Sequence, residues 1–133
     1  MPAASEENVG YRPCLVLAHH SPAYAAQAGR AFRRLGWDVY TARSGPEARR
    51  LARMLAAEAV VLDTALPGES GWLTCEKLTG ERPHVRAVLV APEVGDQEER
   101  FAAFVGAGAL LREADGPYAL VPEFSAASLP AAG

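Results

Sequence analysis

Two stretches of the chain hold residues whose types could do chemistry. In "LVLAHHSPAY" (15–24) an apolar run ends in His19 and His20, and in "VVLDTALPGESGW" (60–72) another ends in Asp63. The carboxyl ends of strands are where α/β proteins hold ligands. Two imidazoles and a carboxylate are the ligand set of a facial-triad site, suited to Zn²⁺ or Fe²⁺. Adjacent residues of an extended segment point opposite ways, so both histidines would meet one ion only at a kinked turn.

The elements that must position these residues follow from apolar patterning. "CLVLA" (14–18), "AVVLD" (59–63), "VRAVLVA" (85–91) and "ALLR" (109–112) are short apolar runs of the kind buried on both faces of a parallel sheet. "WDVYTA" (37–42) adds a strand rich in β-formers. Between them lie helices. Ser21-Pro22 caps one whose Tyr24, Ala28, Phe32 and Leu35 share a face, and which Gly36 ends. Ser44-Gly45-Pro46 starts a second with Ala48, Leu51, Ala52 and Leu55 together. "SGWLTCEKLTG" (70–80) is a third and "DQEERFAAFVGAG" (96–108) a fourth, acidic at its start as the helix dipole favours. Pro117 and Pro122 leave room only for a stunted last helix. Alternating strands and helices imply a doubly wound α/β domain over 13–122, between a flexible leader (1–12) and a small-residue tail (123–133).

Composition narrows the function. Half of the 133 residues are apolar, enough for one core, and no apolar stretch approaches the roughly 20 residues of a membrane span. No secretion signal opens the chain, so the reading is cytoplasmic. Cys14 and Cys75 stand in unrelated contexts and read as small buried hydrophobes. Residues 22–55 hold seven arginines against Asp38 and Glu47, but these read as the solvated outer faces of amphipathic helices, so no nucleic-acid partner is expected. G-x-G-x-x-G, G-x-x-x-x-G-K-[ST] and G-x-S-x-G are all absent, which removes dinucleotide, P-loop and nucleophile-elbow chemistry.

"VVLDTALPGESGW" strongly resembles the phospho-acceptor segment of response-regulator receiver domains, in which an aspartate ends the third strand before a Pro-Gly turn. "GWDVYTARSG" and "GAGALLREAD" (106–115) fall in register with the same family, the latter one residue short of its "GAxGYLLKDAD". The resemblance covers residues 13–122. It implies a flavodoxin-like (CheY-like) five-stranded parallel sheet of order 2-1-3-4-5.

The resemblance also implies a constellation, and here the chain departs from it. Asp63 matches the phospho-acceptor, and the Ala65 carbonyl would be a metal ligand. The acidic pair that binds Mg²⁺ falls on His19 and His20. The phosphoryl-gripping Thr or Ser falls on Ala91, the Lys on Arg112 and the switch aromatic on Ala109. Mg²⁺ wants carboxylate oxygen. A unit charge pair at ~4 Å is worth about 4 kcal/mol at an effective dielectric near 20, so losing one weakens metal binding roughly a thousandfold. Phosphoryl transfer without the ion should be very slow. The histidines then read as stand-ins for the metal's charge. An imidazole beside Asp63, with Arg112, would hold the carboxylate ionised.

The expected function is an atypical receiver of the two-component type, non-enzymatic and without a cofactor. It would act through contacts with a kinase or downstream signalling protein. The alternatives are a true phospho-acceptor using Asp63 with Mg²⁺ and, third, a transition-metal site from His19, His20 and Asp63. The curtailed last helix speaks against the family's usual dimer face. Phe101 and Phe104 read as core residues, and Trp72 as packed beside the Asp63 pocket.

Overall fold

The computed structural model describes residues 11–124, so the leader up to residue 10 and the tail from residue 125 lie outside the described residues. The elements run β1 (Cys14–Ala18), α1 (Pro22–Arg34), β2 (Asp38–Ala42), α2 (Gly45–Leu55), β3 (Ala59–Asp63), α3 (Gly71–Glu81), β4 (Arg86–Ala91), α4 (Asp96–Phe104) and β5 (Ala109–Arg112). All strands pair in parallel in the order β2-β1-β3-β4-β5, as the alternation of elements requires.

Strand alternation sorts the core into two layers. Leu15, Leu17, Val61, Val88 and Val90 face α1, where they meet Tyr24, Ala28 and Phe32. Val16, Ala18, Val60, Leu62, Leu89 and Ala91 face the other way, onto Ala48 and Ala52 of α2, Cys75 and Leu78 of α3 and Ala102 of α4. Both cysteines are free and buried. Serine hydroxyls cap α1, α2 and α3, each accepting an N–H three residues on at 3.2 Å: Ser21 from Tyr24, Ser44 from Glu47 and Ser70 from Leu73.

Two glycines are required by position. Gly36 takes φ 92° where α1 gives way to β2. Gly71 lets the start of α3 lie against the end of β3. A Cβ there would stand 2.2 Å from the Asp63 carbonyl oxygen.

The stunted last helix takes the form of two 3₁₀ stretches, Glu113–Asp115 and Pro117–Phe124, because Pro122 can neither donate to a turn nor fit an α-helix interior. Two expectations change. The packed chain runs past residue 122. Phe124 is 3% exposed and meets Phe32 and Trp37 edge-on at 5.7 and 6.1 Å, closing the α1 side. At the other end, Arg12 pairs with Asp38 at 2.9 Å and the Tyr11 hydroxyl donates to Glu58. Finally, Phe101 and Phe104 are not core residues. α4 stops at Phe104, only Ala102 within it is buried, and the two rings are 45% and 74% exposed.

Candidate functional site

The pocket forms where β1, β3 and β5 end. Leu15 and Leu17 face α1, and so do Val61 and Leu111, so the same alternation brings His19, Asp63 and Glu113 to one side of the sheet edge. Asp63 is wholly buried. Its Oδ1 accepts the Ala65 N–H at 2.8 Å, and its Oδ2 accepts the His20 N–H at 2.9 Å and the His20 Nδ1–H. Both oxygens are therefore engaged by the chain itself.

The histidines do not diverge. β1 ends at Ala18 and the chain bends at His20, so the two rings stack with centroids 4.7 Å apart and 22° between planes. His19 has no exposed side chain and lies between His20 and Tyr24, whose ring is 4.0 Å away. The Ser21 N–H donates to His19 Nδ1 at 2.9 Å. A backbone N–H can only donate, so Nδ1 holds a lone pair and the proton of neutral His19 is on Nε2. That nitrogen is buried without a hydrogen bond, 3.5 Å from Glu113 Oε1. His20 is at the mouth, 46% exposed, with Nε2 4.0 Å from Glu113 Oε2.

Electrostatics follow this geometry. Burial pushes His19 below the ordinary imidazole range, against the pull of Asp63 and Glu113. The hydrogen bond to Asp63 raises His20. Burial alone would raise Asp63, but the N–H groups of His20 and Ala65, the His20 ring and the neighbouring His19 outweigh it and hold the carboxyl below its usual range. Burial first, then Glu113 and Asp63, push the Tyr24 hydroxyl up to about 12.

Of the residues singled out in the sequence, His19, His20, Asp63 and the backbone of Ala65 come together. Arg112 does not join them. It pairs in register with Ala91 while Asp63 pairs with Val90, its side chain is exposed, and among the described residues it makes no side-chain hydrogen bond or ion pair. Its neighbour Glu113 turns in instead, so the pocket gains a carboxylate where a cation was expected. Ala91 is buried in the layer facing α3, and Ala109 packs toward α1, so neither brings a hydroxyl or ring to the pocket. Trp72 leaves the pocket as well. It lies against Phe101 at 4.9 Å and lines a groove of about 250 Å³ between α3 and α4 with Leu73, Glu76 and Val105. Glu113 and Tyr24 were missed from sequence. Period-2 counting from Leu111 would have placed Glu113.

Known structures share this arrangement of strands and helices. A CheY-like response regulator receiver domain from Methanospirillum hungatei JF-1 superposes with a TM-score of 0.78 at 18% identity, over 85% of this chain and 90% of that one. This is a response-regulator receiver fold. A Burkholderia pseudomallei response regulator, solved with a phosphorylated aspartic acid, calcium ion and citrate, matches at 0.77 and 19%, over 87% of this chain and 68% of its own. In sequence the chain is 31% identical over 94 residues to the "Probable transcriptional regulatory protein TcrX" of Mycobacterium tuberculosis, covering 71% of this chain and 40% of the relative. No protein-family model matches the chain. Among the described residues no helix is long and apolar enough to cross a membrane.

The resemblance to receiver domains implies Mg²⁺, and the residues present do not fit it. The His20 Nδ1–H already holds Asp63 Oδ2, the Ala65 N–H holds Oδ1, and both positions of the acidic pair offer nitrogen. Glu113 returns one carboxylate, from the end of β5 rather than β1.

Proposed function

We propose that this receiver is a non-enzymatic, cytoplasmic signalling module that works through protein contacts without Mg²⁺-dependent phosphorylation. One observation carries the reading: Asp63 is fully buried and both its oxygens are already bonded within the chain. A nucleophilic carboxylate must reach its phosphoryl donor, and here His20 stands in the way, bonded by both ring and backbone. The alanines at 91 and 109 support the same conclusion, since no hydroxyl is there to grip a phosphoryl group and no ring to relay it.

Kinases and downstream signalling proteins are the partners this fold suggests. The receiver spans 40% of the TcrX relative, so a longer protein with an output domain is compatible with these residues. The absence of nucleic-acid contacts argued from the arginines therefore does not extend to such a protein, the relative being named a transcriptional regulatory protein. Among the described residues the last helix, on the face such domains commonly pair through, is 3₁₀ rather than α.

The test is intact mass after incubation with Mg²⁺ and acetyl phosphate, with Asp63→Asn as control. The expected result is an unchanged mass. One added phosphoryl group on the parent and none on the variant would establish the alternative, a phospho-accepting regulator.

A further inference from the structure

The pocket that disagrees with Mg²⁺ suits a different ion. The geometry points to a site for a divalent transition ion, Zn²⁺ or a close analogue, held by His20, Asp63 and Glu113, with His19 positioning Glu113. This rests on the reading that Asp63 does not serve an Mg²⁺-dependent phosphorylation. The relatives give it no support; the chain's own residues do.

The first observation is proximity. One ligand atom each from His19, His20, Asp63 and Glu113 lies within 4.8 Å of all the others. Donors around a tetrahedral ion at ~2.1 Å are about 3.4 Å apart, so closing the set needs only a small movement. The two residues that would move, His20 and Glu113, are 46% and 34% exposed and form the entrance. The second is the bend after β1, which turns both rings to one side and removes the objection that adjacent histidines diverge.

The third is the buried Nε2 of His19, which has no hydrogen-bond partner and faces Glu113. Ser21 fixes the tautomer that leaves this nitrogen a donor. His19 is thus not a ligand but the N–H that orients one, the support ligating carboxylates commonly receive. The charges match too: Asp63 and Glu113 offset a divalent ion, and the imidazole nitrogen favours a transition metal over Mg²⁺. On binding, a His20 ring protonated on both nitrogens gives its Nδ1 proton to solvent and keeps the one on Nε2, and the freed Nδ1 lone pair takes the ion.

The experiment is calorimetric titration of the tag-free, metal-stripped chain with ZnCl₂, and separately with MgCl₂, with no phosphoryl donor present. The expected result is one saturable Zn²⁺ site whose heat varies with buffer ionisation, as proton release requires, and far weaker binding of Mg²⁺. Glu113→Gln should weaken Zn²⁺ by about ten- to a hundredfold or more. His19→Phe keeps the ring stack but loses the N–H. It also takes away the acceptor of the Ser21 N–H, so the melting temperature in EDTA should fall by a few degrees, while Zn²⁺ binding, measured well below that temperature, should weaken by about tenfold. Absent saturation in the parent, or binding unchanged by Glu113→Gln, overturns the site. Either result leaves the phosphorylation reading standing, because only the acetyl phosphate mass measurement addresses it.

Discussion

Two charged clusters flank the carboxyl edge of the sheet, and they are built on opposite terms. Around Glu69 every partner is matched. Arg49 reaches both carboxylate oxygens at 3.1 and 3.0 Å, Lys77 pairs at 3.0 Å and the Thr74 hydroxyl donates at 2.7 Å. Arg49 also lies 3.9 Å from Glu81, so the network ties α2 to both ends of α3. Around Asp63, by contrast, the His19 Nε2 and the Tyr24 hydroxyl are buried without partners, and Glu113 stands 3.5 to 4.0 Å from the imidazoles. The first cluster is complete and serves as scaffold. The second is arranged but unfinished, which is the condition of a site.

Removing the centre of the complete cluster should have the larger effect on stability. Glu69→Ala leaves Arg49 and Thr74 without their acceptor, and urea unfolding should show a loss of about 3 kcal/mol. A loss below ~1 kcal/mol would mean the network is no more than surface ion pairing.

Acid should break the same cluster next. Arg49 first, then Thr74 and Lys77, hold Glu69 at about 2 against an ordinary 4.5. Its folded-state value is depressed, so its contribution is complete above pH ~4.5 and is lost as pH falls toward 2. The amount is about 2–3 kcal/mol at most, reduced by screening because Lys77 is largely exposed. Melting temperatures from pH 5 to 2 should fall less steeply in Glu69→Gln than in the parent. Equal slopes would assign acid sensitivity to other carboxylates.

The smallest effect on folding sharpens the comparison most. Glu113→Gln should change unfolding free energy by no more than about 0.5 kcal/mol in EDTA, since Glu113 makes no close hydrogen bond with either imidazole. A large loss would make Glu113 a second scaffold residue.

The sheet was legible because its inner strands are buried on both faces and read as unbroken apolar runs, and because serines mark the starts of α1, α2 and α3. His19, His20 and Asp63 were legible for a related reason: a polar residue ending such a run has nowhere to go but the sheet edge. Arg112 was expected to keep a cation near Asp63, but its side chain is exposed, and a position carried over from a family says nothing of which way the side chain turns. The exposure of Phe101 and Phe104 was hidden by helix length, since composition did not reveal that α4 ends too soon to bury them.

Phe124 has a consequence in time. It is the residue that seals the α1 face, and it comes after every strand. During synthesis that face must stay open, its Phe32 and Trp37 uncovered, until nearly the whole domain has left the ribosome. Contacts between chain segments this far apart are also slow to form. Trp37, touching both Phe32 and Phe124, is a built-in fluorescent reporter of when the closure occurs.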